Sequence, residues 1–133
     1  MKKVQMNKLI IDAANEKIFL MIITSSNIYN ITQENTKINY EKLTLIINDF
    51  LSSNNLKISE INEIYINKGP GSFAGIRNSL SVVKAFNVAK KIDYYCYSLE
   101  DFKGVDVVRY ENIPNLCNKF KIKKNLINPI YLS

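Results

Sequence analysis

An α/β fold is predicted, with a mixed five-stranded sheet and helices as crossovers. Three observations predict it. Short apolar, β-branched or aromatic runs recur at Leu9–Asp12, Lys17–Thr24, Ile28–Ile31, Ile64–Asn67 and Asp93–Tyr97. Apolar residues at helical spacing fill two longer intervals, 39–55 and 76–91. A glycine-rich stretch, Gly69-Pro70-Gly71-Ser72-Phe73-Ala74-Gly75-Ile76-Arg77, joins the fourth run to the second helix and holds three of the chain's four glycines.

The first three runs are separated by short connections, Ala13 to Glu16 and Ser25-Ser26-Asn27, so they read as an antiparallel meander. The second run is almost continuously apolar and belongs inside the sheet with both faces covered. In the first helix, Tyr40, Leu43, Ile46, Ile47, Phe50 and Leu51 form one stripe that Leu45 widens, and Ser52 to Asn55 ends it. Each later strand follows a helix, which makes it a parallel addition. Three antiparallel strands followed by two parallel ones match one half of a ribonuclease H-like fold of the actin-like superfamily.

The second helix is apolar on more than one side. Ile76, Leu80, Val83 and Phe86 point one way, and Val82, Ala85, Val88 and Ala89 extend the surface. One face can lie on the sheet; the other needs the first helix or another chain. After Phe102 the pattern weakens. Val105 to Tyr110 reads as a short strand, Asn115 to Lys124 as a short basic helix after Pro114, and Ile127 to Leu132 as extended.

The glycine stretch is a tight strand-to-helix turn, with Ser72 placed to cap the helix. A helix N-terminus invites an anion, and Gly71, Ser72 and Arg77 are the residues it would use. The spacing departs from the two best-known phosphate loops. Ile76 follows Gly75 where a Walker A loop needs Lys, and the G-x-G-x-x-x-G spacing is one residue longer than a dinucleotide fingerprint. Backbone geometry and close approach are the favoured use of these glycines.

Composition narrows the chemistry. A chain of 133 residues, 47% hydrophobic, fits one globular domain. It has no histidine, which excludes His-based acid–base catalysis, His-activated nucleophiles and His metal ligands. Cys96 and Cys117 make no C-x-x-C pair, and a reduced, cytoplasmic thiol pair is expected. Met1-Lys2-Lys3 is basic, but no signal-type cleavage site follows, and no run reaches membrane-spanning length. The formal net charge of +6 suits RNA or an acidic protein surface, while the shared abundance of Lys, Ile and Asn has a compositional explanation in an A/T-rich genome. No cofactor and no metal site are expected.

Lys68 through Arg77 resembles the G-P-G-S-F-T-G-L-R signature of the TsaB (YeaZ) family, with Ala74 where the family usually has threonine. Asn39-Tyr40-Glu41-Lys42-Leu43 resembles the start of that family's first helix, Tyr97-Ser98-Leu99-Glu100 its S-S-L-E segment, and Pro129-Ile130-Tyr131-Leu132 its P-x-Y-L-R ending, with Ser133 in place of the arginine. The likeness covers about residues 6 to 102 and the last few. It implies a domain over 1–104 of the ribonuclease H-like, TsaB N-terminal type. Residues 105–133 would then be a short remnant of a second half.

The resemblance also implies a role. TsaB proteins are noncatalytic partners of TsaD, the actin-like subunit that transfers a threonylcarbamoyl group to adenosine in tRNA, with the ATPase TsaE in the same assembly. Their first two helices pack on TsaD, and isolated TsaB pairs with itself in a similar way. A TsaD-like partner, a TsaE-like ATPase through the complex, tRNA indirectly and a homodimer in isolation are therefore expected, and no membrane. The partner-binding residues would be Tyr40, Leu43, Ile47, Phe73, Ile76, Leu80, Val82, Val83 and Phe86. Where the family shows D-T-S after its first strand, this chain has Asp12-Ala13-Ala14; one carboxylate without converging ligands makes a turn cap rather than a metal site. Two other classes fit the residues: a small anion- or nucleotide-binding enzyme built on the glycine turn, and a basic RNA-binding module.

Overall fold

The structure, a computed structural model, describes residues 6–132; the Met1-Lys2-Lys3 start of the expected first domain and Ser133 lie outside the described residues. In chain order the elements are β1 (Lys8–Asp12), β2 (Lys17–Ile23), β3 (Ile28–Glu34), α1 (Lys37–Glu41), α2 (Leu43–Ser53), β4 (Glu63–Asn67), β5 (Gly71–Ser72), α3 (Phe73–Lys90), β6 (Asp93–Tyr97), α4 (Ile113–Lys119) and β7 (Tyr131–Leu132). The main sheet has five strands in the order β3-β2-β1-β4-β6. β1, β2 and β3 form an antiparallel meander, and β4 and β6 add in parallel on the far side of β1. This is the predicted mixed sheet.

Strand periodicity divides the core in two. Leu9, Ile11, Ile18, Leu20, Ile22, Ile64, Ile66, Tyr94 and Cys96 face α2 and α3, whose Leu43, Ile47, Phe50, Leu51, Ile76, Leu80, Val83 and Phe86 complete that layer. The intervening residues Ile10, Met21, Tyr65 and Tyr97 face the other way and meet Phe102, Ile113 and Cys117. Each fully buried aliphatic side chain contributes about 1.5–3 kcal/mol, so both layers matter to stability. β2 lies inside the sheet with both faces covered, as its apolar run predicts.

Several elements differ from expectation. The helix predicted over 39–55 is two helices, because Lys42 leaves helical geometry at φ −102°, ψ 18° and its amide donates to the carbonyls of both Ile38 and Asn39. Thr36, not Asn39, starts the first of them, its hydroxyl accepting from the Asn39 amide. Val105 to Tyr110 is not a strand: it crosses the sheet face as irregular chain, with Val105, Val108 and Tyr110 packed on the second core. The short basic helix spans Ile113–Lys119 rather than 115–124. Pro114 sits within its first turn, where a missing N–H costs nothing, and Lys121 at φ 54° turns the chain away beyond its end.

Candidate functional site

The glycine turn lies where β4 hands over to α3. Asn67 ends the strand, and its Oδ1 accepts from the Gly69 amide at 2.9 Å. The Gly69–Pro70 peptide is cis. Ser72 caps α3 through its hydroxyl, which accepts from the Gly75 amide at 3.2 Å. The helix therefore begins at Phe73, three residues before Ile76, and takes Gly75 into its first turn.

The β1–β2 turn fills the concave side of this loop. The Ser72 amide donates to the Ala14 carbonyl at 2.8 Å. A Cβ on Gly71 would stand 2.2 Å from that carbonyl oxygen, and one on Gly75 2.1 Å from the carbonyl oxygen of Ala13. Gly69, at φ +108°, would bring a Cβ within 2.1 Å of the Ile130 carbonyl oxygen. The glycines thus let three backbone segments meet, with the carbonyls of Ala13, Ala14 and Ile130 where side chains would otherwise stand. Gly71 and Ser72 pair in parallel with Tyr131 and Leu132, while the Arg77 guanidinium lies 5.9 Å from the centre of the Phe73 ring. Of the residues expected to meet an anion, Ser72 has its amide bonded to the Ala14 carbonyl and its hydroxyl to the Gly75 amide, both within the chain.

Asp12 is buried and saturated. Its Oδ1 accepts from the Ala14 amide at 3.1 Å and from Asn67 Nδ2 at 3.2 Å, and its Oδ2 accepts from the Tyr110 hydroxyl at 2.7 Å. It is a turn cap, as expected. Burial and then the neighbouring Asp12 carboxylate push the Tyr110 phenol well above its usual range, which keeps the donor proton on Tyr110. Tyr110 also stacks on Phe19 with ring centres 4.0 Å apart. An open cleft of about 790 Å³ lies beside the turn, lined by Asn15, Lys17, Phe19, Asn35, Ser72 and Tyr110 among others. Asn35 braces it, its Nδ2 donating to the carbonyls of Ala13 at 2.9 Å and Asn15 at 2.6 Å. Sequence reasoning did not find Asn35, Asn67 or Tyr110. Asn67, two residues before a glycine, carried a local Asx-turn signal; Tyr110, bonded across 98 positions of the chain, carried none.

The predicted partner-binding residues separate into three groups. Leu43, Ile47, Ile76, Leu80, Val83 and Phe86 are buried between helices and sheet, so the chain's own core accounts for them. Tyr40 and Val82 are partly buried at the edge of that core. Phe73 alone is exposed, at 49%, and tilts onto Tyr131 with ring centres 4.7 Å apart. The physical reason is that the Ile76, Leu80, Val83 and Phe86 side of α3 is used within the chain, on the sheet and α2, whereas Ala85, Val88 and Ala89 on its other apolar side are exposed. Three residues outside the predicted set are more exposed on the same helix layer: Ile38 at 63%, Leu45 at 56% and Val88 at 71%.

Burial raises the Cys96 and Cys117 thiols to about 12, so both are inert thiols rather than nucleophiles. Among the described residues no cluster of acidic or thiol side chains is arranged to hold a metal ion, and no helix is long and apolar enough to cross a membrane.

Comparisons with known proteins agree with this architecture. A family model described as TsaD, tRNA N6-adenosine threonylcarbamoyltransferase, matches residues 30–98, just over half of the chain. The tRNA threonylcarbamoyladenosine biosynthesis protein TsaB of Buchnera aphidicola subsp. Baizongia pistaciae (strain Bp) is 33% identical over 66 residues, which are 50% of this chain and 30% of that protein. This chain therefore aligns with less than a third of that relative's length. YeaZ from Pseudomonas aeruginosa superposes with a TM-score of 0.65 at 19% identity, over 70% of this chain and 44% of that one. RuvC of T. thermophilus, in complex with Holliday junction substrate, superposes with a TM-score of 0.51 at 9% identity, over 94% and 86%. These two likenesses bear on fold alone. The five-stranded mixed sheet is the ribonuclease H-like fold of the actin-like superfamily. With the glycine turn, the matched segment and the fold in agreement, the chain belongs to the TsaB/YeaZ family.

Proposed function

We propose that this chain is a noncatalytic partner of a TsaD-type catalytic subunit in the formation of N6-threonylcarbamoyladenosine in tRNA. The observation that carries the reading lies within the segment matched by the family model. There the glycine turn is closed by the chain's own carbonyls, while the helices it anchors expose Ile38, Leu45, Phe73 and Val88. A turn spent on internal contacts positions helices; a helix layer with large apolar side chains in water suits a protein partner. In this reading residues 105–133 stand where relatives carry a longer second half, a TsaE-type ATPase joins through the complex, and the isolated chain pairs with itself through the same layer.

The test is size-exclusion chromatography with light scattering, on the chain alone and mixed with the TsaD protein of the same organism. A mixed complex that Leu45→Glu together with Val88→Glu abolishes, while both proteins keep their folded circular dichroism, is the expected result. If wild-type chain and TsaD elute separately with ATP and TsaE present, the partner assignment fails.

A further inference from the structure

Basic charge is not spread evenly along this chain. Residues 4–102 hold ten basic and ten acidic side chains, whereas residues 103–133 hold six basic and two acidic. A compositional bias toward lysine would raise both regions alike. The excess is concentrated in Lys119-Phe120-Lys121-Ile122-Lys123-Lys124, four lysines in six residues. The four lysines are exposed, and Phe120 and Ile122 between them turn inward onto the second core.

The segment is held at both ends. The Ile122 amide donates to the Cys117 carbonyl at 2.9 Å, and the Asn125 amide to the Tyr94 carbonyl at 2.7 Å. Lys124 forms an antiparallel bridge with Tyr95, so this stretch lies along the edge of β6. The nearby carboxylates have other partners. Glu63 accepts from the hydroxyls of Tyr65 and Tyr95, Asp101 accepts from the Ser98 amide, and Asp93 bonds Asn125 and pairs with Lys124 at 3.7 Å. No carboxylate of the described residues pairs with Lys119, Lys121 or Lys123. Two hollows share Lys121 and Ile122 as a common wall. One, of about 470 Å³, adds Lys8 and Lys124; the other, of about 140 Å³, adds Lys68 and Lys123.

We infer that residues 119–124 form an RNA-contacting face, with Lys119, Lys121 and Lys123 on successive phosphates of a folded RNA. The ordered backbone fixes the spacing of the charges before binding, which lowers the entropic cost of contact. The charge segregation calls for a polyanion by itself; the choice of RNA rests on the function proposed above.

The experiment is fluorescence anisotropy of a labelled tRNA transcript with the full chain alone, between about 50 and 200 mM KCl. The triple variant Lys119→Gln, Lys121→Gln, Lys123→Gln is compared with Lys57→Gln, Lys84→Gln, Lys90→Gln, which removes the same charge from other exposed positions. The first set lowers affinity roughly tenfold or more and flattens the log–log salt slope by about 3, one per lost phosphate contact, while the second changes affinity by less than about twofold. Equal losses in both sets mean diffuse charge and overturn the proposal, as does no loss in the first. Equally tight binding to phosphatidylserine vesicles, lost in the same variant, also overturns it, in favour of a membrane surface. No TsaD is present in this measurement. A failure of TsaD to co-elute therefore sinks the partner reading separately, and a failure here leaves co-elution standing.

Discussion

The two faces of the sheet are held by different chemistry. Beneath α2 and α3 the layer is mostly Leu, Ile and Val, and it depends on shape. On the opposite face, aromatic rings and a few directed bonds do the holding: Phe19 on Tyr110, Tyr65 on Tyr95, Tyr97 on Phe102, with phenols donating to Asp12 and Glu63. The first face lies under regular helices from the segment that matches the family model; most of what covers the second lies beyond that segment and is irregular. Regular helices offer long ridges for aliphatic interdigitation. A short irregular cover has no ridges, so it fastens itself at points.

Breaking the helix side should have the larger effects. Gly75→Ala places a carbon 2.1 Å from the Ala13 carbonyl oxygen, and backbone cannot yield as a side chain does. A loss of roughly 3 kcal/mol or more is expected in urea unfolding. Gly104→Ala, on the covering segment, meets nothing within 4 Å and suffers only its φ of +85°, so about 1 kcal/mol is expected. Equal effects would erase the contrast between the two sides. Ile47→Ala, at full burial, should cost about 3 kcal/mol, whereas Leu45→Ala two positions away should stay within about 0.5. Tyr110→Phe keeps the stack on Phe19 and removes only the donor to Asp12, so a loss near 2 kcal/mol would measure one point fastening.

Alkali sharpens the comparison most gently. Cys96 sits under the helices and Cys117 under the cover, and burial lifts each from 9 to about 12. The folded state favours the protonated thiol. That contribution is therefore whole below pH 9 and is lost as pH climbs from 9 toward 12. Thiol labelling of single-cysteine variants across that range should find Cys117 reactive at lower pH than Cys96, because the phenols around it also resist ionisation in place. Simultaneous exposure would show one cooperative unit and no weaker side.

The sheet was legible in the sequence because each strand carries its own local pattern, from Leu9-Ile10-Ile11 to the alternation of Tyr94 to Tyr97. The glycine turn was legible as geometry too, since only glycine admits the three backbone approaches at 69, 71 and 75. The break at Lys42 was not, because neither proline nor glycine marks it. That Leu43, Ile47, Ile76, Leu80, Val83 and Phe86 belong to the chain's own core was not legible, because helical spacing reports how apolar a face is, and not what covers it. Phe86 and Val88 stand on two equally apolar sides of α3, yet one is buried and the other 71% exposed. The Asp12–Tyr110 bond was illegible for a different reason: a tyrosine in irregular chain gives no periodic signal of the carboxylate it will find.

One arrangement has a temporal side. The loop at 69–72 leans on Ala13 and Ala14 behind it, and on Ile130 to Leu132 ahead of it, through the Ser72, Ile130 and β5–β7 bonds. A ribosome adding roughly 5–20 residues per second delivers residue 130 some 3 to 12 s after residue 69. Through that interval the nascent turn has one of its two walls. The carbonyl of Lys68 must wait for the Ile130 amide, its partner in the folded chain.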